Sequence, residues 1–107
     1  RLRRRSRYAE AHLNLGMCLA VRGTNRMVRM MEHLDAGREA AAEQERLAGW
    51  ADWQAARRHF DRALEIAPDD PKARHNIDLL KRQMADFQRG VVRLPRRDEL
   101  DSRRRPR

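Results

Sequence analysis

Two blocks of sequence, 9–23 and 53–68, carry complementary patterns of small and large apolar residues, and an insert of 28 residues, 24–51, separates the first block from Asp52 and the second block. Within each block, small residues recur at helical spacing beside large ones three or four positions away. Such patterns are typical of two helices that pack closely side by side. The fold therefore depends on how the intervening residues bring the two blocks together.

Side-chain size assigns roles within the blocks. Gly16 permits a paired helix to pass close by, because any side chain there would hold that helix off. Phe60 lies between two alanines at helical spacing, as a tight helix contact requires. The residues that carry the patterns are Leu15, Gly16 and Leu19 in the first block and Ala56, Phe60, Ala63 and Pro68 in the second.

The insert divides into equal halves, 24–37 and 38–51, around a turn signal, Asp-Ala-Gly at 35–37. Each half makes about four helical turns, which returns its helix to nearly the same face. We therefore predict two lengthened helices in one antiparallel hairpin, extended by about 20 Å. The facing residues are expected to be Met27, Met30, Met31 and Leu34 against Ala40, Ala41, Leu47 and Ala48.

Gly23 and Gly49 favour an alternative to continuous helices. Glycine inside a helix costs about 1 kcal/mol relative to alanine. The two glycines fall near the same level of the proposed hairpin. A bend or a break shared by both helices at that level is therefore the second interpretation of the insert.

Residues 71–88 predict a third helix. Asp70 is a good N-cap, Pro71 suits the first helical position, and Gly90 suits the position after the helix. Its apolar stripe is Ala73, Ile77, Leu80, Met84 and Phe87. The fold class is therefore predicted to be all-α, a hairpin of elongated helices capped by a third helix.

The formal net charge of +9 lies wholly at the two ends of the chain. Residues 1–8 form a basic segment, 9–90 a neutral helical domain, and 91–107 a basic tail without periodicity that we expect to be disordered. The sequence contains no run of 18 apolar residues that would span a membrane. We expect a soluble domain, cytoplasmic or associated with the cell envelope.

Placed end to end without the insert, the two blocks resemble one tetratricopeptide (TPR) repeat, a helix–turn–helix with a Leu-Gly…Ala…Phe…Ala…Pro pattern. Residues 71–87 are similar to the first helix of a second repeat, with Ala73, Asn76 and Ile77 in the family's places and Asp78 where the family has glycine. The string at 63–81 resembles small bacterial TPR accessory proteins, including those encoded beside von Willebrand factor A-domain proteins and those of methanol dehydrogenase.

The resemblance implies a non-catalytic adaptor or assembly factor that binds another protein along the inner face of its first helix. TPR domains that clamp a peptide carboxylate have Lys and Asn where this chain has Leu13 and Met17, so that clamp is absent. An apolar groove suits an amphipathic helix or an apolar peptide; a second copy of the chain is the alternative occupant. The implied partner-binding residues are Leu13, Met17, Ala20, Val21, His75, Leu79 and Arg82.

The cysteine, histidine and acidic residues of the chain do not form a recognisable catalytic arrangement. There is no Gly-rich phosphate loop, nucleophile motif or pair of spaced carboxylates, so we predict no enzyme and no cofactor. Cys18, between apolar neighbours, is expected to be a small buried thiol. The charged residues of 38–46 are expected to form a solvated face. No metal site is predicted from the four histidines, His12, His33, His59 and His75.

The arginine-rich ends support an alternative function. Clusters of arginine bind phosphates with an affinity that falls steeply with salt, and they attract anionic lipid. The alternative function is therefore binding to nucleic acid or to an anionic membrane surface. Tyr8 is the only aromatic residue within these ends, so base-specific recognition is not expected.

Overall fold

The computed structural model describes residues 2–90, with side chains from Arg7 onward, as three helices. They are α1 (Leu2–Asp35), α2 (Glu39–Ile66) and α3 (Pro71–Gln88). The predicted all-α class, with a helical hairpin and a third helix, is confirmed. α1 begins at Leu2, within the basic segment 1–8 that was expected to precede the helical domain. The expected disorder of 91–107 concerns residues outside the described part.

The turn between α1 and α2 lies where the Asp-Ala-Gly signal predicts it. Gly37 has φ +77°, the left-handed region that glycine adopts without strain. The amide of Arg38 donates a hydrogen bond to the carbonyl of His33 over 2.8 Å, which closes the reversal. α1 and α2 then run antiparallel, and both continue without interruption through their glycines at 23 and 49.

Gly23 and Gly49 lie at the same level, as the sequence suggests, but they mark a close contact between the helices instead of a break. A Cβ atom placed on Gly23 would lie 2.9 Å from the carbonyl oxygen of Gly49 and 2.7 Å from Trp53 Nε1. Trp53 is buried and donates its indole N–H to the carbonyl of Ala20 over 3.3 Å. The glycines therefore bring two backbones together and make room for the tryptophan.

This contact belongs to a longer series of buried residues, which we call the small-residue seam. The series has a seven-residue period on both helices, and two helical turns of about 3.6 residues return each member to the same face. At Gly16, a Cβ would lie 2.6 Å from Phe60 Cε1 and 3.2 Å from the Ala56 carbonyl oxygen. The members are Ala9, Gly16, Gly23 and Met30 on α1, and Ala42, Gly49, Ala56 and Ala63 on α2.

Part of the predicted contact between the two halves of the insert is wrong, because the seam lies along other residues. Met27 and Met30 are buried as expected, but they lie with Ala42 in the core. Leu34 and Leu47, in contrast, are 52% and 56% exposed. The expected facing partners Ala40 and Leu47 each lie two residues before a seam residue, about 200° around the helix, so they cannot point the same way.

Leu15 is a second correction. It was expected to contribute to the helix contact, but its side chain is 46% exposed. Gly16, one residue later, occupies the seam, and one residue rotates the side chain by about 100°. Leu19, four positions on from Leu15, is partly buried and packs against the core.

α3 covers part of one side of the hairpin. Asp70 caps it by accepting a hydrogen bond from the amide of Lys72 over 2.9 Å, with Pro71 at the start. The other four residues of the predicted stripe are buried, and the ring of partly buried Phe87 lies 5.8 Å from that of Trp50, tilted, and 5.6 Å from that of Trp53, edge to face. From this aromatic contact to its turn at 36–38, the hairpin projects by about 15–20 Å.

The other side of the hairpin is a polar flank. Asp52, only 7% exposed, accepts hydrogen bonds from Arg22 over 2.8 and 2.9 Å and from Arg26 over 3.1 Å. Glu45 pairs with Arg29 at 2.6 Å and with Arg26 at 3.5 Å. Glu45 therefore joins the two helices, which corrects its expected place on a solvated face.

Gly23→Ala tests the seam. In an open helix this change stabilises the protein by about 1 kcal/mol. Here we expect a loss of about 1–3 kcal/mol in the free energy of unfolding, because the methyl group meets Gly49 and Trp53. Urea denaturation followed by tryptophan fluorescence measures it. The control Ala51→Gly, at an exposed position of α2, should lose about 1 kcal/mol from helix propensity alone. Stabilisation by Gly23→Ala would contradict the close contact.

Asp52→Asn tests the polar flank. Hydrogen bonding from Arg22 holds the pKa of Asp52 below its usual range, against the opposing effect of burial. The carboxylate therefore contributes stability above its usual pKa of about 3.9, and that contribution is lost as the pH falls through the lowered value. At pH 7 we expect the variant to lose about 1.5–3 kcal/mol.

The matched control for that variant is Glu43→Gln, which removes an exposed carboxylate paired with Arg46. It should leave the free energy of unfolding almost unchanged, because an exposed ion pair is screened by water and contributes little. The deficit of Asp52→Asn should shrink in strong acid. Equal effects of the two substitutions at pH 7 would contradict the role assigned to Asp52.

Candidate functional site

An open groove runs between α1 and α3. It exists because α3 packs mainly on α2 and meets α1 over a much smaller area. One direct polar link between α1 and α3 is the hydrogen bond from Gln83 Nε2 to Thr24 Oγ1, at 3.3 Å. Met17 and Asn76 border both halves of the groove, which makes it continuous along the two helices.

The half nearer the carboxyl end of α3, here the apolar half, has a volume of about 310 Å³. Phe60 and Leu80, both buried, contribute to its floor. Three large apolar side chains on its walls are unusually exposed: Met17 at 45%, Val21 at 61% and Leu79 at 46%. The remaining lining residues are Ala20, Thr24, Asn25, Asn76 and Gln83. This half contains no ionisable side chain.

The other half, here the turn half, lies beside the connection from α2 to α3 and has a volume of about 950 Å³. It carries three carboxylates, Glu10, Asp69 and Asp70, with Lys72 and His75 as the basic groups. Its other lining residues are Ala9, Leu13, Asn14, Met17, Ala67, Pro68, Pro71 and Asn76. The lining of the groove is mainly apolar in both halves, and its charge changes along the length from neutral to acidic.

Most of the predicted partner-binding residues meet in this groove. The apolar half contains four of them, and the turn half contains His75 and Leu13. Leu13 is only 6% exposed and belongs to the core, so it supports the groove from below and offers little surface to a partner. Arg82 is exposed and lines neither half. The four residues in the apolar half are Met17, Ala20, Val21 and Leu79.

Sequence reasoning predicted His75 but missed several other polar members of the groove. Asn14 and Asn25 lie on α1 three or four positions from the predicted Met17 and Val21, so helical spacing alone would have added them. Asn76 was assigned only by resemblance. Amide side chains both donate and accept, which suits them to the backbone of a bound peptide.

Two histidines meet across the hairpin although 47 residues separate them in sequence. His12 Nδ1 and His59 Nδ1 are 3.0 Å apart, and the rings are stacked with their centroids 5.2 Å apart. Burial lowers the pKa of His59, and the nearby His12 and Arg58 lower it further. Among the described residues, no group of three or more His, Cys, Asp and Glu side chains is placed to hold a metal ion.

Cys18 is exposed, which corrects the expected buried thiol. It follows Met17, a wall residue of the groove, and one residue rotates a side chain by about 100° around the helix. The apolar neighbours that suggested burial are themselves largely at the surface: Met17 is 45% exposed, and Leu19 is only partly buried. Local apolar sequence is therefore a poor guide to burial on a helix that exposes apolar residues on one side.

A separate cleft of about 480 Å³ lies between α2 and α3. Its charged lining is mainly basic, with Arg57, Arg58 and Lys81 against Asp61, and partly buried Trp50 forms one edge. This cleft is a concave surface with a net positive charge, and sequence patterns gave no indication of it.

Comparisons of this chain with protein-family models, with curated proteins and with solved structures find no match. Within residues 2–90, none of the three helices combines the length and the apolar character needed to cross a membrane. Any function must therefore be argued from the groove, the cleft and the surface charges themselves.

The histidine pair predicts a pH dependence of stability. Because the folded-state pKa of His59 is lowered, the neutral His59 imidazole contributes stability that is complete above the usual value of about 6.5 and is lost as the pH falls through the lowered value. We expect the free energy of unfolding to decline as the pH falls below about 6.5. His59→Phe keeps an aromatic ring and should flatten the decline, whereas His75→Gln, at an exposed position, should not. Parallel profiles for all three proteins would contradict the assignment.

Proposed function

We propose that this chain is a non-catalytic, TPR-type interaction module that binds another protein through the groove between α1 and α3. The observation that carries the proposal is the exposure of Met17, Val21 and Leu79 around one concave surface. Exposed apolar side chains gathered in one place are typical of binding surfaces. An adaptor or assembly factor, as in the bacterial TPR proteins that the sequence resembles, is the role this surface suits.

The shape and chemistry of the groove favour a polypeptide over a small molecule. The groove is open and runs along two helices, whereas small-molecule sites enclose most of their ligand. Amide side chains, including Asn25, Asn76 and Gln83, stand beside the apolar walls. A peptide offers both apolar side chains and backbone groups to such a lining. An amphipathic helix or an extended apolar peptide is therefore the expected partner.

The rigidity of the hairpin supports this role. The seam fixes α1 against α2 through backbone contacts at Gly16 and Gly23. α3 is fixed to α2 by its buried stripe and by the aromatic contact of Phe87 with Trp50 and Trp53. Both walls of the groove are thus held before any partner binds, which lowers the free energy lost in ordering a binding surface.

A second candidate function is binding to nucleic acid or to an anionic membrane. It rests on the arginine-rich ends of the sequence and is favoured within the described residues by the cleft that holds Arg57, Arg58 and Lys81. Salt distinguishes the two functions. Binding through the apolar groove should persist at high salt, whereas binding to phosphates should weaken with a steep log–log slope.

The test of groove binding starts with peptides selected from a random display library against the full chain. Met17→Asp and Leu79→Asp should each weaken binding of a selected peptide about tenfold or more, because a charge then faces the apolar walls. Isothermal titration calorimetry measures the affinity, and circular dichroism checks that the helices are retained. Leu13 is unsuitable for such a test because it is part of the core.

Leu15→Asp is the matched control. Leu15 lies on the same helix as Met17 and is 46% exposed, against 45% for Met17 and 46% for Leu79, but it does not line the groove. Its substitution should change affinity by less than about twofold. Peptides that lose affinity on Leu15→Asp and keep it on Met17→Asp would place the binding surface elsewhere.

A further inference from the structure

The two ends of the groove differ in charge, which limits what can fill it. At one end the walls are apolar, with Val21 and Leu79, and at the other they carry Glu10, Asp69 and Asp70. No salt bridge between described residues involves any of these three carboxylates. A segment that presents apolar residues first and cations next would match the groove along its whole length.

The chain itself contains such a segment directly after α3. Residues 91–97 read Val-Val-Arg-Leu-Pro-Arg-Arg, apolar at the start and basic at the end. The residues that follow include three acids, at 98, 99 and 101, which would be repelled by the acidic turn half. The order of charge therefore complements the groove over 91–97 and ceases to do so beyond it.

The chain leaves α3 at the apolar end of the groove. Gly90 has φ +74°, the left-handed conformation that ends a helix and turns the chain away from its axis. Proline at position 95 lacks an amide hydrogen and disfavours a helical residue before it. A segment that starts here and does not continue the helix is free to run back along the groove.

Residues 91–97 are long enough to run back along α3 to the turn half of the groove. An extended chain advances about 3.3 Å per residue, while a helix rises about 1.5 Å. Leu94 would then lie about 13 Å back from Gly90, near the level of Lys81 and beside the apolar half. Arg97 would lie about 23 Å back, near the level of His75 and within about one helical turn of Asp70.

From this match we propose that residues 91–97 occupy the groove of the same molecule. Leu94 contacts the apolar walls, and Arg96 and Arg97 pair with the carboxylates of the turn half. The proposal rests on the groove being the peptide-binding site. Its consequence is self-competition: an external partner must displace this segment, so the intact chain binds more weakly than one whose segment cannot enter.

The test compares methyl NMR spectra of the full chain with those of a variant carrying Leu94→Asp, Arg96→Glu and Arg97→Glu. Methyl resonances of Met17, Val21 and Leu79 should shift in the variant. A synthetic peptide of residues 91–97, added to the variant, should return them toward their positions in the unsubstituted protein. A selected groove peptide should bind the variant about three- to tenfold more tightly, because the competing segment is removed.

The control variant carries Ser102→Asp, Arg103→Glu and Arg104→Glu, which adds the same negative charge beyond the segment and should leave the groove resonances unchanged. Unchanged groove resonances in the first variant would overturn the proposal, as would shifts confined to Leu34 and Leu47. Shifts that vanish on tenfold dilution would overturn it in favour of a second copy. A selected peptide that still depends on Met17 would then leave the proposed function standing.

Discussion

The close approach of α1 and α2 at Gly23 and Gly49 is the contact on which the rest of the structure depends. A single methyl group on either residue would press on the opposite backbone. With the helices this close, large side chains are displaced to the two sides of the seam. On one side Trp53 and Phe60 build the core that receives α3, and on the other Asp52 and its arginines form the polar flank.

The period of the seam explains how a 28-residue insert lengthens the hairpin without disturbing it. Each half of the insert spans two seven-residue periods, so the residues beyond it keep the same orientation toward the paired helix. Met30, Ala42 and Gly49 lie within the insert and continue the series set by residues outside it. The insert is therefore an extension of the same helix pair.

Much of the fold follows from local sequence signals. The turn at 35–37, the cap at Asp70 and the stripe of α3 are each set by short-range chemistry, and the structure contains all three. Which residues of the insert contact each other depends on the register between the two helices, and local sequence patterns do not determine that register. Leu47 was for that reason assigned to the interface although it is exposed.

The groove residues were predicted only in part. The TPR resemblance placed Met17, Val21 and Leu79 on one surface, and all three line the apolar half, but burial depends on what the neighbouring helix covers. Leu13 and Cys18 therefore exchanged their expected places, with the leucine buried and the thiol exposed. Contacts across the hairpin, such as that between His12 and His59, join residues far apart in sequence and give no local signal.

The central claim is that the surface between α1 and α3 is where a partner binds. Photo-crosslinking tests it directly, with a photoreactive phenylalanine analogue at position 79 and, in a separate protein, at position 15. Both residues are 46% exposed, but only Leu79 lines the groove. After irradiation with a selected peptide, mass spectrometry should find the peptide attached through position 79 and not through position 15. Crosslinks from position 15 alone, or equal yields from both, would contradict the account.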